Sequence, residues 1–222
     1  KAEPLQLTKA QAETVAEEKR VAAVRTEFEQ ALFQLQTYVE QEGIKSPHCF
    51  ISYAWGKPEQ ESWVEHNLAT DLKKAGIGVL LDRWDNARIG AKVSRFVERI
   101  EAADLVLVVG TPEYRKKYDN KKPMGGYVVA AEGDLIGNRM LGSEAQKESV
   151  LPLLLAGDTE SAFPPLLIGR VYADFREDAG YFMTMFDLIL SLYKIPITHT
   201  AVADIRSSLR KATQGDERER SI

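Results

Sequence analysis

Residues 105–140 read LVLVVGTPEYRKKYDNKKPMGGYVVAAEGDLIGNRM, and the reading of this stretch decides the fold. Leu105 to Val109 is apolar at every position, as a strand buried on both faces requires. It reaches Gly110-Thr111 and passes into a long, basic, Gly-containing connection from Pro112 to Tyr127. The apolar segment that follows has the length and character of a packed helix. It carries one carboxylate near its start, Glu132, among Val128, Val129, Ala130 and Ala131. Two readings of Glu132 stand together: a functional acid on the inner side of a helix, or a charge favoured by the positive N-terminal end of that helix.

Working outward, the same strand-and-helix alternation continues in both directions. Upstream, HCFISYAWG (48–56) is a strand that runs out at Trp55-Gly56. Glu61 to Ala75 is a helix with Trp63, Val64, Leu68 and Leu72 on one face, and Gly76 ends it. Val79 to Leu81 forms a second strand, followed by the polar loop DRWDNARIGAK (82–92) and a helical element from Val93 to Ala103. Downstream, Val150 to Leu155 is a fourth strand in which Pro152 points to an edge or a strand end. Arg170 to Phe175 is a short fifth, and Tyr181 to Tyr193 an apolar final helix.

Near-continuously apolar strands alternating with helices imply an α/β fold with a parallel sheet covered on both faces. Right-handed crossovers on short connections favour the flavodoxin-like, five-stranded order 2-1-3-4-5. In that order the topological switch lies between strands one and three, and ligands bind outside their carboxyl ends. Tyr53 to Gly56 and Gly110-Thr111 are expected there, bordered by the loop from Asp82 to Lys92 and by the helix bearing Glu132.

Before this module, Thr8 to Glu42 lacks Gly and Pro, and Val21, Val24, Phe28, Leu32, Leu35 and Val39 recur at helical spacing. This helix either packs on its own domain or a preceding one, or connects copies of the following domain. The expected division is a helical connector or coiled-coil-like segment over 1–46, the α/β domain over 47–200, and a C-terminal helix with the polar tail GDERERSI over 201–222.

Composition narrows the class. The 222 residues are 44% hydrophobic and 28% charged, with a net charge of −4, which gives no global case for binding nucleic acid. Cys49 has no second cysteine to pair with and fits a reducing, cytoplasmic setting. No run approaches the ~20 apolar residues of a membrane span. The start, KAEPLQLTKA, has no apolar signal core and resembles a cut from a longer chain.

Known chemical signatures are missing: no P-loop run, no dinucleotide fingerprint after a strand, no nucleophile elbow. Three scattered histidines and one cysteine do not make a metal site. What remains is aromatic and acidic. Tyr53 and Trp55 flank Ala54 at a strand end, where a purine or nicotinamide ring can stack, or where the rings simply close the core. The loop after strand two mixes Asp82, Trp84, Asp85, Asn86, Arg88 and Gly90. Arg88 suits a phosphate or a salt bridge to Asp85. The lysines and arginine between Arg115 and Lys122 can attract an anion or merely be solvated.

Taken in order, FISYAW, AGIGVLLDRWDNARIG, IEAADLVLVVGTPEY and MGGYVVAAE resemble the Toll/interleukin-1 receptor (TIR) domain across about His48 to Tyr193, in its bacterial-type, NAD+-cleaving branch. The resemblance implies a catalytic glutamate at Glu132; in the family this residue often closes a Trp-x-x-x-Glu pattern, whose first position is Val128 here. It implies a nucleotide cleft at Tyr53, Ala54, Trp55, Asp82, Trp84, Arg88, Gly90, Gly110 and Thr111. NAD+ is then the substrate, with no separate cofactor or metal, and the bond broken joins nicotinamide to ribose. Nicotinamide leaves with ADP-ribose or a cyclic ADP-ribose as the other product, in immune or cell-death signalling. Activity is expected on homo-oligomeric assembly, with Trp84, Asp85, Asn86 and Arg88 at the interface. Two alternatives remain: a non-enzymatic TIR scaffold that recruits other TIR domains, and an enzyme like the nucleoside deoxyribosyltransferases.

Overall fold

The structure, a computed structural model, describes residues 9–81, 98–99, 101–119 and 126–214, with their side chains except those of 9–10 and 126–131. Its strands are β1 (His48–Ser52), β2 (Gly78–Leu80), β3 (Leu105–Gly110), β4 (Val150–Leu154) and β5 (Ala173–Asp174). They form one all-parallel sheet in the order β2-β1-β3-β4-β5, as the alternation of elements predicts.

Period-two geometry sorts the apolar strands onto two faces. Cys49, Ile51, Leu105, Leu107 and Val109 enter one core, and Phe50, Val106 and Val108 the other. The helices are α1 (Lys9–Gln41), α2 (the continuous run Pro58–Ser62, Trp63–Ala69 and Thr70–Lys74), α3 (Pro112–Asp119), α4 (Gly126–Leu141), α5 (Glu144–Glu148), α6 (Thr159–Ala162), α7 (Tyr181–Leu192) and α8 (Thr200–Gln214). Helices α1, α2, α7 and α8 close the first core; Tyr114 of α3, Ile136 of α4 and Ala162 of α6 help close the second. Pro152 sits in β4 opposite Val108, one residue before β5 begins to pair at Leu153, so it takes no ladder position from β5.

The long N-terminal helix lies against this domain. Phe28, Leu32 and Leu35 are buried in the first core. Arg25 donates to both carboxylate oxygens of Asp71 on α2 at 2.7 Å, and the Tyr181 hydroxyl donates to the same carboxylate at 2.7 Å. Gln36 adds a hydrogen bond to the Lys74 carbonyl at 2.5 Å. Residues 11–19, by contrast, are exposed.

The connection after β3 differs from the loop expected over Pro112 to Tyr127. Its first half is α3, an eight-residue helix. The Tyr114 N–H donates to Thr111 Oγ1 at 3.0 Å, so Thr111 caps the helix, and Pro112 occupies the first helical position, where its missing N–H costs nothing. Thr-Pro-Glu is a helix-start signal, and a reading based on the density of lysines passes over it.

Candidate active site at the ends of β1 and β3

Ser52, the last residue of β1, pairs with Val108 of β3, so the two strands end side by side at the switch point. Glu132 reaches this place from α4. The helix begins at Gly126, which puts Glu132 on its second turn, beyond the first-turn range over which a helix end stabilises a charge. The helix-start reading of Glu132 therefore does not explain its position. Its residue is only 6% exposed, and a carboxylate so placed requires partners.

Two partners meet at Oε2. Ser52 Oγ donates at 3.1 Å, and the Lys117 ammonium, from α3, donates at 2.7 Å. Lys117 Nζ also donates to the Tyr53 carbonyl at 2.9 Å, tying α3 to the end of β1. Ser52 has a single hydroxyl proton, and a carboxylate can only accept. With that proton given to Glu132, the Tyr114 hydroxyl must donate to Ser52 Oγ, which lies 2.9 Å away. A relay thus runs from Tyr114 through Ser52 to Glu132, each bond polarising the next. Burial, with a smaller contribution from the Glu132 charge, pushes the Tyr114 hydroxyl well above its ordinary range, so it stays a neutral donor.

A second tie holds α3 over β1. Lys57, just beyond the β1 strand end, pairs with Glu113 at 2.8 Å, and that hydrogen bond holds the Glu113 carboxyl below its usual range. At the other end of α4, Arg139 donates to the carbonyls of Ala103 and Asp104 and to Ser149 Oγ. These contacts fix the helix from which Glu132 projects.

The other expected site residues divide. Tyr53 and Ala54 are buried, whereas Trp55 is 53% exposed and stacks on Tyr53 with ring centroids 6.4 Å apart. Tyr53 thus closes core, while the next ring in the chain is half-exposed at the strand end. Thr111 is buried and its hydroxyl caps α3. Gly110 is shaped by packing: a Cβ built there would lie 2.3 Å from the Phe163 ring. Asp82, Trp84, Asp85, Asn86, Arg88 and Gly90 lie outside the described residues. Among the described residues, three that sequence reasoning did not assign a role, Ser52, Tyr114 and Lys117, join Glu132 in the site. Ser52 was visible as the polar residue that ends the apolar run Cys49 to Ile51; Lys117 was hidden in a run of basic residues.

The carboxylate stands where a positively charged centre could be held, with an aromatic face nearby. Among the described residues no group of three or more His, Cys, Asp or Glu is arranged for a metal ion, and no helix is long and apolar enough to cross a membrane. A cavity of about 410 Å³, lined partly by Ser46, Asp104, Ser149 and Tyr193, opens at the amino ends of β1 and β3, opposite to this site.

Comparison with known proteins agrees with the fold. A sequence model of the TIR domain matches residues 49–190. Among solved structures, the chain is similar to a prokaryotic SEFIR domain, at 27% identity over 66% of this chain and 99% of that one, with a TM-score of 0.50. No curated protein matches.

Proposed function

The chain belongs to the TIR domain family, and we propose that it is an NAD+ glycohydrolase in which Glu132 is the catalytic residue. The observation that carries this reading is a buried carboxylate, held by Ser52, at the carboxyl ends of β1 and β3, where the half-exposed Trp55 ring follows β1.

The chemistry needs little more. The bond between C1′ of the ribose and the pyridinium nitrogen breaks, and its electron pair leaves with nicotinamide, which becomes neutral. No general acid is required, because the leaving group is already cationic. The ribosyl centre left behind is oxocarbenium-like, as in glycoside cleavage, and a fixed carboxylate in a partly dry site stabilises it. Water captures it to give ADP-ribose and a proton; capture by the adenine of the same molecule gives a cyclic product. Trp55 provides a face for one of the two rings. Self-association of the domain, with the loop after β2 at the contact, would raise the local concentration of complete sites.

The test is nicotinamide release from NAD+ at rising protein concentration and after enforced clustering. The rate per protomer should climb with concentration, and Glu132→Gln should lower it by about 10²-fold or more, the scale of removing a principal electrostatic stabiliser. Undiminished cleavage by Glu132→Gln overturns the assignment.

A second reading is supported by one contact. A carboxylate paired with Lys117 can be a structural tie, and the domain would then be a non-catalytic module recruiting other TIR domains. Absence of nicotinamide in every assembled form, with self-association intact, selects it.

A further inference from the structure

We infer that Lys117 is a displaceable counter-ion, holding the position against Glu132 that the positive charge of NAD+ takes during cleavage. The inference rests on the NAD+-cleaving reading and makes Lys117 a positioning and specificity-determining residue for it.

The two donors to Glu132 Oε2 differ in exposure. Ser52 is 1% exposed and belongs to the strand; the Lys117 side chain is 22% exposed against 7% for that of Glu132, so the lysine is the more accessible of the two donors and of the ion pair. While the pair is closed, the carboxylate offers a second cation little net attraction, and the ammonium repels positive charge growing at C1′. Removal of the ammonium with nothing in exchange takes a charge-assisted hydrogen bond away from a buried carboxylate, which is unfavourable. Exchange of one cation for another avoids both penalties. Lys117 is suited to exchange: its charge is a compact point on a flexible four-carbon stem, and among the described residues its other contacts are one carbonyl, of Tyr53, and the ring of Tyr114 at 5.8 Å. Ser52 remains to orient Glu132 after the ammonium withdraws. The pair therefore admits NAD+, whose nicotinamide ring is cationic, in preference to NADH, which has nearly the same shape and a neutral ring.

Lys117→Gln keeps a neutral donor within the site. It should raise kcat/KM for NAD+ by about tenfold, a ~1.4 kcal/mol relief of competition, while the inhibition constant of NADH changes by less than about twofold. Lys117→Arg should stay as slow as the wild type or slower, because the fork grips a carboxylate more firmly. A Lys117→Gln enzyme no faster than wild type, alongside clustered wild type that cleaves and Glu132→Gln that does not, overturns this inference and leaves the proposed function standing. Failure of every form to release nicotinamide removes both. A measurement on the unaltered chain covers the case of a variant that does not fold. In short acetic anhydride pulses, NAD+ should speed acetylation of Lys117 and NADH should not; equal labelling overturns the inference.

Discussion

Asp71 and Glu132 are both buried acids, each 2.7 Å from a cation, yet the surroundings make them different devices. Asp71 is gripped by Arg25 through both oxygens and receives the Tyr181 hydroxyl as well. The Arg25 guanidinium lies 4.9 Å from the centroid of the Phe182 ring, so its planar face is occupied too. Glu132 meets a lysine at one oxygen, and the strand supplies an independent hydroxyl. The first arrangement fixes a helix to the domain, and loosening it gains nothing. In the proposed function, the second keeps an acid ready while leaving its cation replaceable. Burial and distance are alike in the two pairs; the contacts differ in how many carboxylate oxygens the cation holds and in whether the strand supplies a second donor.

The sharpest way to break this contrast is to remove the arginine. Arg25→Ala should destabilise the chain by about 2–4 kcal/mol, below the upper end for a buried pair because Arg25 is itself about one-third exposed, and α1 should loosen. Chemical denaturation measures the loss, and hydrogen exchange along α1 locates it. A loss under ~0.5 kcal/mol would show that the apolar seam of Phe28, Leu32 and Leu35 holds the helix unaided.

A smaller effect is expected at the other acid. Ser52→Ala removes the core-side donor and leaves Tyr114 without its acceptor. Nicotinamide release should fall about tenfold, corresponding to ~1.4 kcal/mol, with a melting temperature reduced by only a few degrees. Unchanged turnover would mean that Lys117 alone positions Glu132.

These contacts were unevenly legible in the chain. The apolar runs at Leu105 to Val109 and around Ile51, with helices between, determine the sheet and its order, and with them the place where Ser52 and Glu132 meet. Glu132 stood out because it is the first acid after the apolar run Val128 to Ala131. Lys117 did not, because five cations between Arg115 and Lys122 look alike until a helix selects which one turns inward. The Arg25–Asp71 tie was hidden for another reason: its partners are 46 positions apart, and Asp71 lies on a helix whose pattern shows only its apolar face.

The smallest expected effect concerns pH and belongs to the sheet itself. Burial pushes the Cys49 thiol up from 9.0 to about 12. The folded thiol keeps its proton in a range where the unfolded one releases it, so the native state binds more protons and stability falls as pH rises through that window. Its contribution is fully present below about pH 9 and is lost towards about pH 12. Denaturant titrations across this range should show a shallower decline in Cys49→Ala than in the wild type. Parallel slopes would mean that other groups, such as the buried Tyr114 and Tyr181 hydroxyls, account for the alkaline loss.

Gly110 links the sheet to the site in another way. The Phe163 ring fills the space that a side chain at position 110 would need. Substitution at 110 is therefore conditional on a smaller residue at 163, and the freedom of each position to change is held by the other. A glycine at the end of a binding strand can owe its restriction to such a neighbour across the core, with no ligand involved.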